Sequence, residues 1–305
     1  MRYVVTGAAG FIGSTLANTL VQAGHDVVGV DCFTDHYEPA EKEENARGLE
    51  LRRLDLAEEA LDLTGVDGVF HLAAQPGVRS FGEAFPLYVR RNLLATQRVL
   101  ESAAEAAVRV VFASSSSVYG EAEAYPTPED TPPSPISPYG ITKLGCEHLA
   151  HAYGVAFGLE AVVLRYFTVY GPRQRPDMFL RRACEALLTG DTFEIYGSGR
   201  QSRSFTYVGD AVAATVAAMA NAPAGAVYNV GGGDEASMLE AIALLEKVSG
   251  RRLDVQHVGS AKGDVSRTKA DVTRIRAALD WEPRTPLGAG LAAMWSWASA
   301  RVAAA

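Results

Sequence analysis

A tyrosine and a lysine four residues apart, Tyr139 and Lys143 in "SPISPYGITKLGCEHLA", are the first candidates for chemistry. Ser137 can cap a helix start and Pro138 suits its first turn, so both side chains fall on one helix face. With twelve tyrosines and five lysines in 305 residues, such a pair arises by chance about 0.2 times. A solvated lysine at an ordinary helix start gives the same pattern, so the pair alone decides nothing. A second signal lies near the other end of the chain. In "VVTGAAGFIGSTLANTL", Gly7, Gly10 and Gly13 follow an apolar run and lead into a helical one. Glycines there allow a tight turn and let backbone N–H groups approach a pyrophosphate at the positive end of a helix. Asp31 closes the next apolar run, 18 residues past Gly13, close to where a carboxylate meets an adenosine ribose diol. An acid at that place repels a 2′-phosphate, which favours NAD over NADP. A strand-end turn residue is the other reading of Asp31. Asp55, after the third apolar run, is a second candidate for the adenine end.

These residues need elements to hold them. "YVVT" (3–6), "DVVGV" (26–30), "LELRRLD" (49–55), "GVFHLA" (68–73) and "VRVVFAS" (108–114) read as buried strands, with "LEAVVLRYFT" (159–168) as a sixth. Helical patterning fills 11–23, 83–107 and 138–158. Strands apolar throughout, alternating with helices, predict a parallel sheet covered on both faces, and right-handed crossovers make it doubly wound and Rossmann-like. From about Val169 the pattern becomes mixed α/β: a Pro- and Arg-rich loop, a helix over 178–189, a strand "TFEIYG", a loop "SGRQSRS" and a strand "AVYNVGGG" (226–233). Ser237 and Glu240 form a capping box for a helix ending near Gly250. A strand "LDVQHVG", a helix after Asp271 and a terminal helix over 287–303 follow. The expected division is residues 1–168 as a cofactor domain that also receives parts of 205–232, and 169–305 as a smaller, interleaved substrate domain.

Composition narrows the classes. The chain is 48% hydrophobic and 21% charged, with a formal charge of −8. That balance disfavours nucleic acid or an anionic membrane as the main partner. Cys32, Cys146 and Cys184 show no CxxC spacing, which suggests neither a disulfide framework nor a metal site. No apolar run is long enough to cross a bilayer. A strand-like run from Arg2 leaves no room for a signal peptide, so a cytoplasmic protein is expected.

Taken together and in order, the glycine triplet, "HLAA" (71–74), "SSSSVYG" (114–120) and Tyr139-x-x-x-Lys143 resemble the extended short-chain dehydrogenase/reductase family along nearly the whole chain. Within it, "HLAAQPGVRS", "LRYFTVYGPRQRPDM" and "EIYGSGRQSRSFTYVGD" are similar to nucleotide-sugar 4-epimerases, most of all UDP-glucuronate 4-epimerases. The resemblance implies NAD held by Gly7, Gly10, Phe11, Ile12, Gly13, Asp31, Asp55, Leu56, Leu72, Ala73, Ala74, Tyr139 and Lys143. It assigns Tyr139 as general base and Lys143 as the residue that tunes it and holds the nicotinamide ribose. A free phenol titrates near 10, so a nearby ammonium and a positive nicotinamide ring would be needed to bring it down. Ser115 would share a hydrogen bond with the reacting sugar oxygen, beside Ser116.

The implied reaction is dehydrogenation at C4, turnover of the 4-keto sugar and return of the hydride to the opposite face. For the UDP-sugar, the resemblance places Arg203 at the diphosphate, Tyr196 at the uracil, and Thr168 and Arg175 at the sugar carboxylate, with Arg173 as an alternative and Asn92 near the nicotinamide. Ser116 and Ser117 stand where decarboxylases and dehydratases carry acids, which disfavours those outcomes. Ser204 and Gly209 replace aspartates common in relatives. A homodimer is expected through the helices at 83–107 and 138–158, where Leu93, Leu94, Val99 and Leu100 could instead serve the subunit's own core. Neutral sugars such as UDP-glucose, UDP-glucuronate decarboxylation and a non-catalytic NAD-binding regulator are the competing readings.

Overall fold

The computed structural model describes residues 1–78, 81–259 and 265–304. Arg79 and Ser80, the last two residues of "HLAAQPGVRS", lie outside the described residues. Seven parallel strands form the main sheet: β1 (Arg2–Thr6), β2 (Asp26–Asp31), β3 (Glu50–Arg53), β4 (Gly68–His71), β5 (Arg109–Ser115), β6 (Ala161–Tyr166) and β10 (Val227–Val230). Their spatial order is β3-β2-β1-β4-β5-β6-β10. The register aligns Thr6 with Val30 and His71, His71 with Phe112, and Ser115 with Tyr166. The carboxyl ends of these strands therefore finish along one edge, where loops from different strands can meet a single ligand.

Helices cover both faces. On one, α1 (Phe11–Gln22) and α7 (Val208–Asn221) bury Phe11, Leu16, Leu20, Ala211 and Ala214 against Val5 and Val111. On the other, α4 (Ala95–Glu105) and α5 (Pro138–Phe157) bury Val99, Leu100, Cys146 and Ala150 against Val4 and Val110. Consecutive strand residues point to opposite faces, so Val4 and Val5 serve different cores. The start of α5 is fixed as the sequence suggests: the Ser137 hydroxyl accepts from Gly140 N at 3.1 Å, with Pro138 in the first turn. Gly158, at φ 71°, closes the other end.

The expected helix over 83–107 is instead four pieces: a 3-10 turn (Gly82–Ala84), α3 (Phe85–Tyr88), a π turn (Val89–Leu94) and α4. The wider π turn lets Asn92 face inward, where it accepts from Gln75 N at 2.7 Å and donates to Gln75 O and Thr142 Oγ1. A 3.6-residue period cannot register one added residue. The expected strand 159–168 is also divided. Phe167 donates to Val230 O, and β7 (Thr168–Tyr170) then joins β9 (Ser202–Tyr207) in a second sheet. β9 begins inside "SGRQSRS", which the sequence reads as loop; its partners β11 (Glu235–Ser237) and β13 (Arg267–Thr268) come from far along the chain. β8 (Phe193–Tyr196) pairs with β12 (Val255–Val258).

α6 (Phe179–Thr189), α8 (Met238–Ser249) and α10 (Leu287–Ala304) enclose a separate core around Tyr170, Leu180, Ile195, Leu245 and Leu291. The Ser237–Glu240 capping box starts α8 and Gly250 ends it. α9 (Thr273–Leu279) packs Ile275 back onto the main-sheet core. One short helix the sequence reading missed, α2 (Pro39–Asn45), is tied to this region: the buried Glu41 pairs with Arg181 on α6 and Arg301 on α10. Among the described residues no helix is long and apolar enough to cross a membrane, and no cluster of His, Cys, Asp and Glu could hold a metal ion.

Candidate active site

A cavity of about 480 Å³ opens at the carboxyl edge of the main sheet, and the second sheet supplies its far wall. Gly7, Gly10, Phe11, Ile12 and Gly13 line one end. Gly7 sits at φ 71°, and a Cβ there would lie 2.9 Å from Ala73 N; a Cβ on Gly13 would lie 2.1 Å from Gly7 O. Only glycine lets the turn close and α1 start this near the strand ends. Asp31 lines the same end, its two carboxylate oxygens accepting from Ala9 N at 3.1 Å and Phe33 N at 2.9 Å. It thereby braces the glycine turn while facing the cavity. Asp55 accepts from Ala57 N and from Arg90, and it lines the wall with Leu56, Leu72, Ala73 and Ala74.

The wall is held from behind by His71. Its ring bonds the hydroxyls of Thr6 at 2.7 Å and Thr96 at 3.0 Å, and Thr6 accepts from Leu72 N and Ala73 N. Full burial, with repulsion from Lys143, brings the His71 pKa down to about 3, so the ring is neutral.

At the middle of the cavity stand Ser115, Ser116, Tyr139 and Lys143. Ser115, the last residue of β5, accepts from Ser117 N at 3.1 Å and lines the cavity beside Tyr139. Burial pushes the Tyr139 pKa up; the Arg175 guanidinium and the Ser115 hydroxyl oppose that rise. Arg175 is thus a cation acting on the phenol from the far side of the cavity, in addition to the expected Lys143. The Lys143 ammonium is turned to Ala113 O at 2.6 Å, with its nitrogen 5.9 Å from the Tyr139 ring centroid. Burial lowers the Lys143 pKa to about 8, despite Cys146 and Glu147 nearby.

Beyond Tyr139, Thr168, Arg175 and Arg203 line the remaining wall. Arg203 donates to Ser202 O and Val265 O, both at 2.8 Å. Arg175 forms a two-point pair with Asp177 at 3.0 and 3.1 Å. Tyr196, expected at the uracil, is not among the residues lining the cavity. β8 buries Phe193 and Ile195, so alternation turns Tyr196 to the other face, alongside the exposed Glu194 and within 6.0 Å of the Arg182 guanidinium. Asn92, held by Gln75 and Thr142, and Arg173 also lie outside the lining, as do Ser204 and Gly209. Ser204 is fully buried on β9, its hydroxyl on Gly233 O at 3.3 Å.

The cavity also holds residues that sequence reasoning passed over: His36, Tyr37, Lys42 and Arg91. Lys42, on α2, donates to Thr34 Oγ1 at 2.9 Å and faces the Tyr37 ring at 4.7 Å. In "EPAEKEEN" it reads as one charge in a solvated run, and no spacing marks it.

The family model described as "NAD dependent epimerase/dehydratase family" matches residues 3–231. The protein named "Uncharacterized UDP-glucose epimerase YtcB" of Bacillus subtilis (strain 168) is 42% identical, with 95% of this chain and 96% of that protein covered. The UDP-glucuronate 4-epimerase of Thermodesulfobacterium geofontis (strain OPF15) is 34% identical, covering 98% and 97%. The crystal structure of UDP-glucuronic acid 4-epimerase from Bacillus cereus, in complex with UDP-glucuronic acid and NAD, superposes with a TM-score of 0.93 at 39% identity, covering 99% of this chain and 100% of that one. A glycine turn braced by a strand-end acid, a serine–tyrosine–lysine centre and a match over most of the length agree: the chain belongs to the NAD dependent epimerase/dehydratase family.

Proposed function

We propose that this protein interconverts the two C4 epimers of a UDP-sugar through a 4-keto sugar, with NAD as resident cofactor and UDP-glucuronate as the substrate that yields UDP-galacturonate. The observation that carries the reading is the meeting of Tyr139, Ser115 and Arg175 in one cavity continuous with the Gly7–Gly13 turn and Asp31. That end fits NAD: the turn leaves no room for a Cβ, α1 presents its positive end, and the Asp31 carboxylate suits a ribose diol and repels a 2′-phosphate. Phe11, Ile12, Leu56, Leu72, Ala73, Ala74 and Lys143 complete the holding set. NAD bound there supplies a hydride acceptor that is regenerated within each turnover.

The chain's own work is proton handling and positioning. The Tyr139 phenolate takes the C4 hydroxyl proton and later returns it, while the Ser115 hydroxyl holds the same sugar oxygen. Arg203 engages the diphosphate in the forked geometry a guanidinium offers, so the sugar can turn while its nucleotide stays fixed. Thr168 and Arg175 hold the C6 carboxylate. A 4-keto uronate is a β-keto acid and loses carbon dioxide when the C5–carboxylate bond aligns with the carbonyl π system; a carboxylate held by Arg175 is kept from that alignment. Ser116 and Ser117 put no acid beside the reacting carbons.

Incubation with UDP-glucuronate is expected to give UDP-galacturonate without carbon dioxide. A UDP-pentose as the main product would overturn the assignment. UDP-glucose is the second reading, favoured by the likeness to YtcB and by the prior pairing of Arg175 with Asp177.

We also propose a homodimer. Val99 and Leu100 are fully buried in the subunit's own core, while Phe85, Val89, Leu94, Ile141, Val155 and Phe157 are exposed apolar side chains on the same two stretches, Leu94 and Ile141 being 39% and 50% exposed. They lie on the 85–94 segment and on α5, which pack on each other, so a second copy can extend them into a bundle. Light scattering is expected to give twice the chain mass, and a monomer at micromolar concentration would reject this.

A further inference from the structure

Asp177 stands outside the cavity lining, half-exposed, and is paired with Arg175, which lines it. Its carboxylate takes Arg175 side-on: Nε to Oδ1 at 3.0 Å and Nη2 to Oδ2 at 3.1 Å. We propose that Asp177 is a specificity-determining residue: it fixes the fork that Arg175 presents to the sugar's C6 group and offsets the charge an anionic sugar would meet there. This rests on the reading of Arg175 as the C6 holder.

The geometry follows from the guanidinium itself. Arginine has five N–H donors in one plane, and a side-on carboxylate uses two of them. The end-on pair, one N–H from each Nη, remains for a second ligand. A hydroxymethyl group can accept from that fork with no further charge brought in. A C6 carboxylate can bind it too, but two carboxylates then share one guanidinium, and the second is held less tightly for the presence of the first. His36 is placed to relieve this. It lines the cavity, its Nε2 lies 3.9 Å from Asp177 Oδ1, and that nitrogen makes no hydrogen bond among the described residues. Its other ring nitrogen faces Gln75 Nε2 at 3.4 Å. A small approach of the ring would give Asp177 a second partner whenever a substrate draws on Arg175. The arrangement admits both sugar classes and places the preference between them on an acid that touches neither.

The test compares Asp177→Asn and Asp177→Ala with the parent protein, using UDP-glucuronate and UDP-glucose as probes. KM and kcat are measured for each, and binding is measured by calorimetry in a Tyr139→Phe background, where turnover does not interfere. Asp177→Asn keeps the shape and removes the charge, so affinity for UDP-glucuronate is expected to rise about tenfold while that for UDP-glucose changes less than about twofold. Asp177→Ala also releases the guanidinium, so its gain for UDP-glucuronate is expected to be smaller than that of Asp177→Asn, and kcat is expected to fall with the lost orientation. Equal changes for both sugars, or an unchanged ratio in both variants, overturns the proposal. A parent protein that takes only UDP-glucose, with Asp177→Asn gaining UDP-glucuronate, keeps the role of Asp177 and overturns the substrate reading instead. Loss of UDP-glucuronate binding in Asp177→Asn overturns the proposal while leaving that reading intact.

Discussion

Tyr139→Phe is expected to lower kcat about a thousandfold while cofactor and UDP-sugar remain bound. A positioned general base contributes about 10²- to 10⁴-fold, and no other group in the cavity duplicates this one. Lys143 is directed at Ala113 O and Ser115 is a hydroxyl hydrogen-bonded to its neighbours. The phenol ring remains in the variant, so the wall it forms persists. Product formation gives kcat, and cofactor retained through gel filtration gives occupancy; a kcat within about tenfold of the parent would defeat the base assignment. The pH dependence carries a sign. Burial raises the Tyr139 pKa and Arg175 opposes the rise. Activity needs the phenolate, so it is lost as pH falls through that pKa. Arg175→Ala removes the opposing charge, raises the pKa and moves the acid limb of kcat/KM to higher pH. UDP-glucose is the substrate for that profile, because it lacks a carboxylate that would itself meet Arg175.

What could be read in advance was local. The Gly7, Gly10 and Gly13 spacing, the acid closing β2 and the capped start of α5 are each settled within about 20 residues, and each lines or frames the cavity. The buried strands are apolar throughout because helices cover both faces, so their positions were plain. What escaped depends on distant partners. β9 is a strand because β7, β11 and β13 pair with it, not because "SGRQSRS" favours one. The face that Tyr196 takes follows from which side of β8 meets the core at Ile195, which its motif position does not carry. The Tyr139–Lys143 spacing placed both residues at the site but left open where the ammonium points. Ala113 O, 30 residues back, decided that. Lys42 reaches the cavity wall, and Asp177 comes within 3.9 Å of His36, only in the folded chain.

Glu147→Ala should be the most damaging change away from the cavity. Glu147 lies one turn beyond Lys143 on α5, and its carboxylate meets Arg165 of β6 at 2.7 to 3.2 Å while accepting from the Ser114 hydroxyl at 2.5 Å. Both charges are over nine-tenths buried. Arg165 continues to Tyr119 Oη at 2.9 Å and Glu129 O at 3.0 Å, and Tyr119 donates to Asn229 of β10 at 2.7 Å. One network thus fixes the helix that carries Tyr139 and Lys143 against the strand that ends in Ser114 and Ser115. Removing one partner leaves an uncompensated buried cation, at a cost of about 3–5 kcal/mol. In a chain of this length that lowers Tm by about 10 °C. A structural role and a positioning role separate in the double variant Glu147→Leu, Arg165→Met. Apolar replacement of both charges is expected to recover most of the lost stability, since neither is then left unpaired. Turnover should stay low, because the polar tie from α5 to Ser114, next to Ser115, is then gone. Thermal unfolding and kcat measured on the three proteins decide it: a double variant that regains both stability and full turnover would show that the network supports the fold and does not set the geometry of the base.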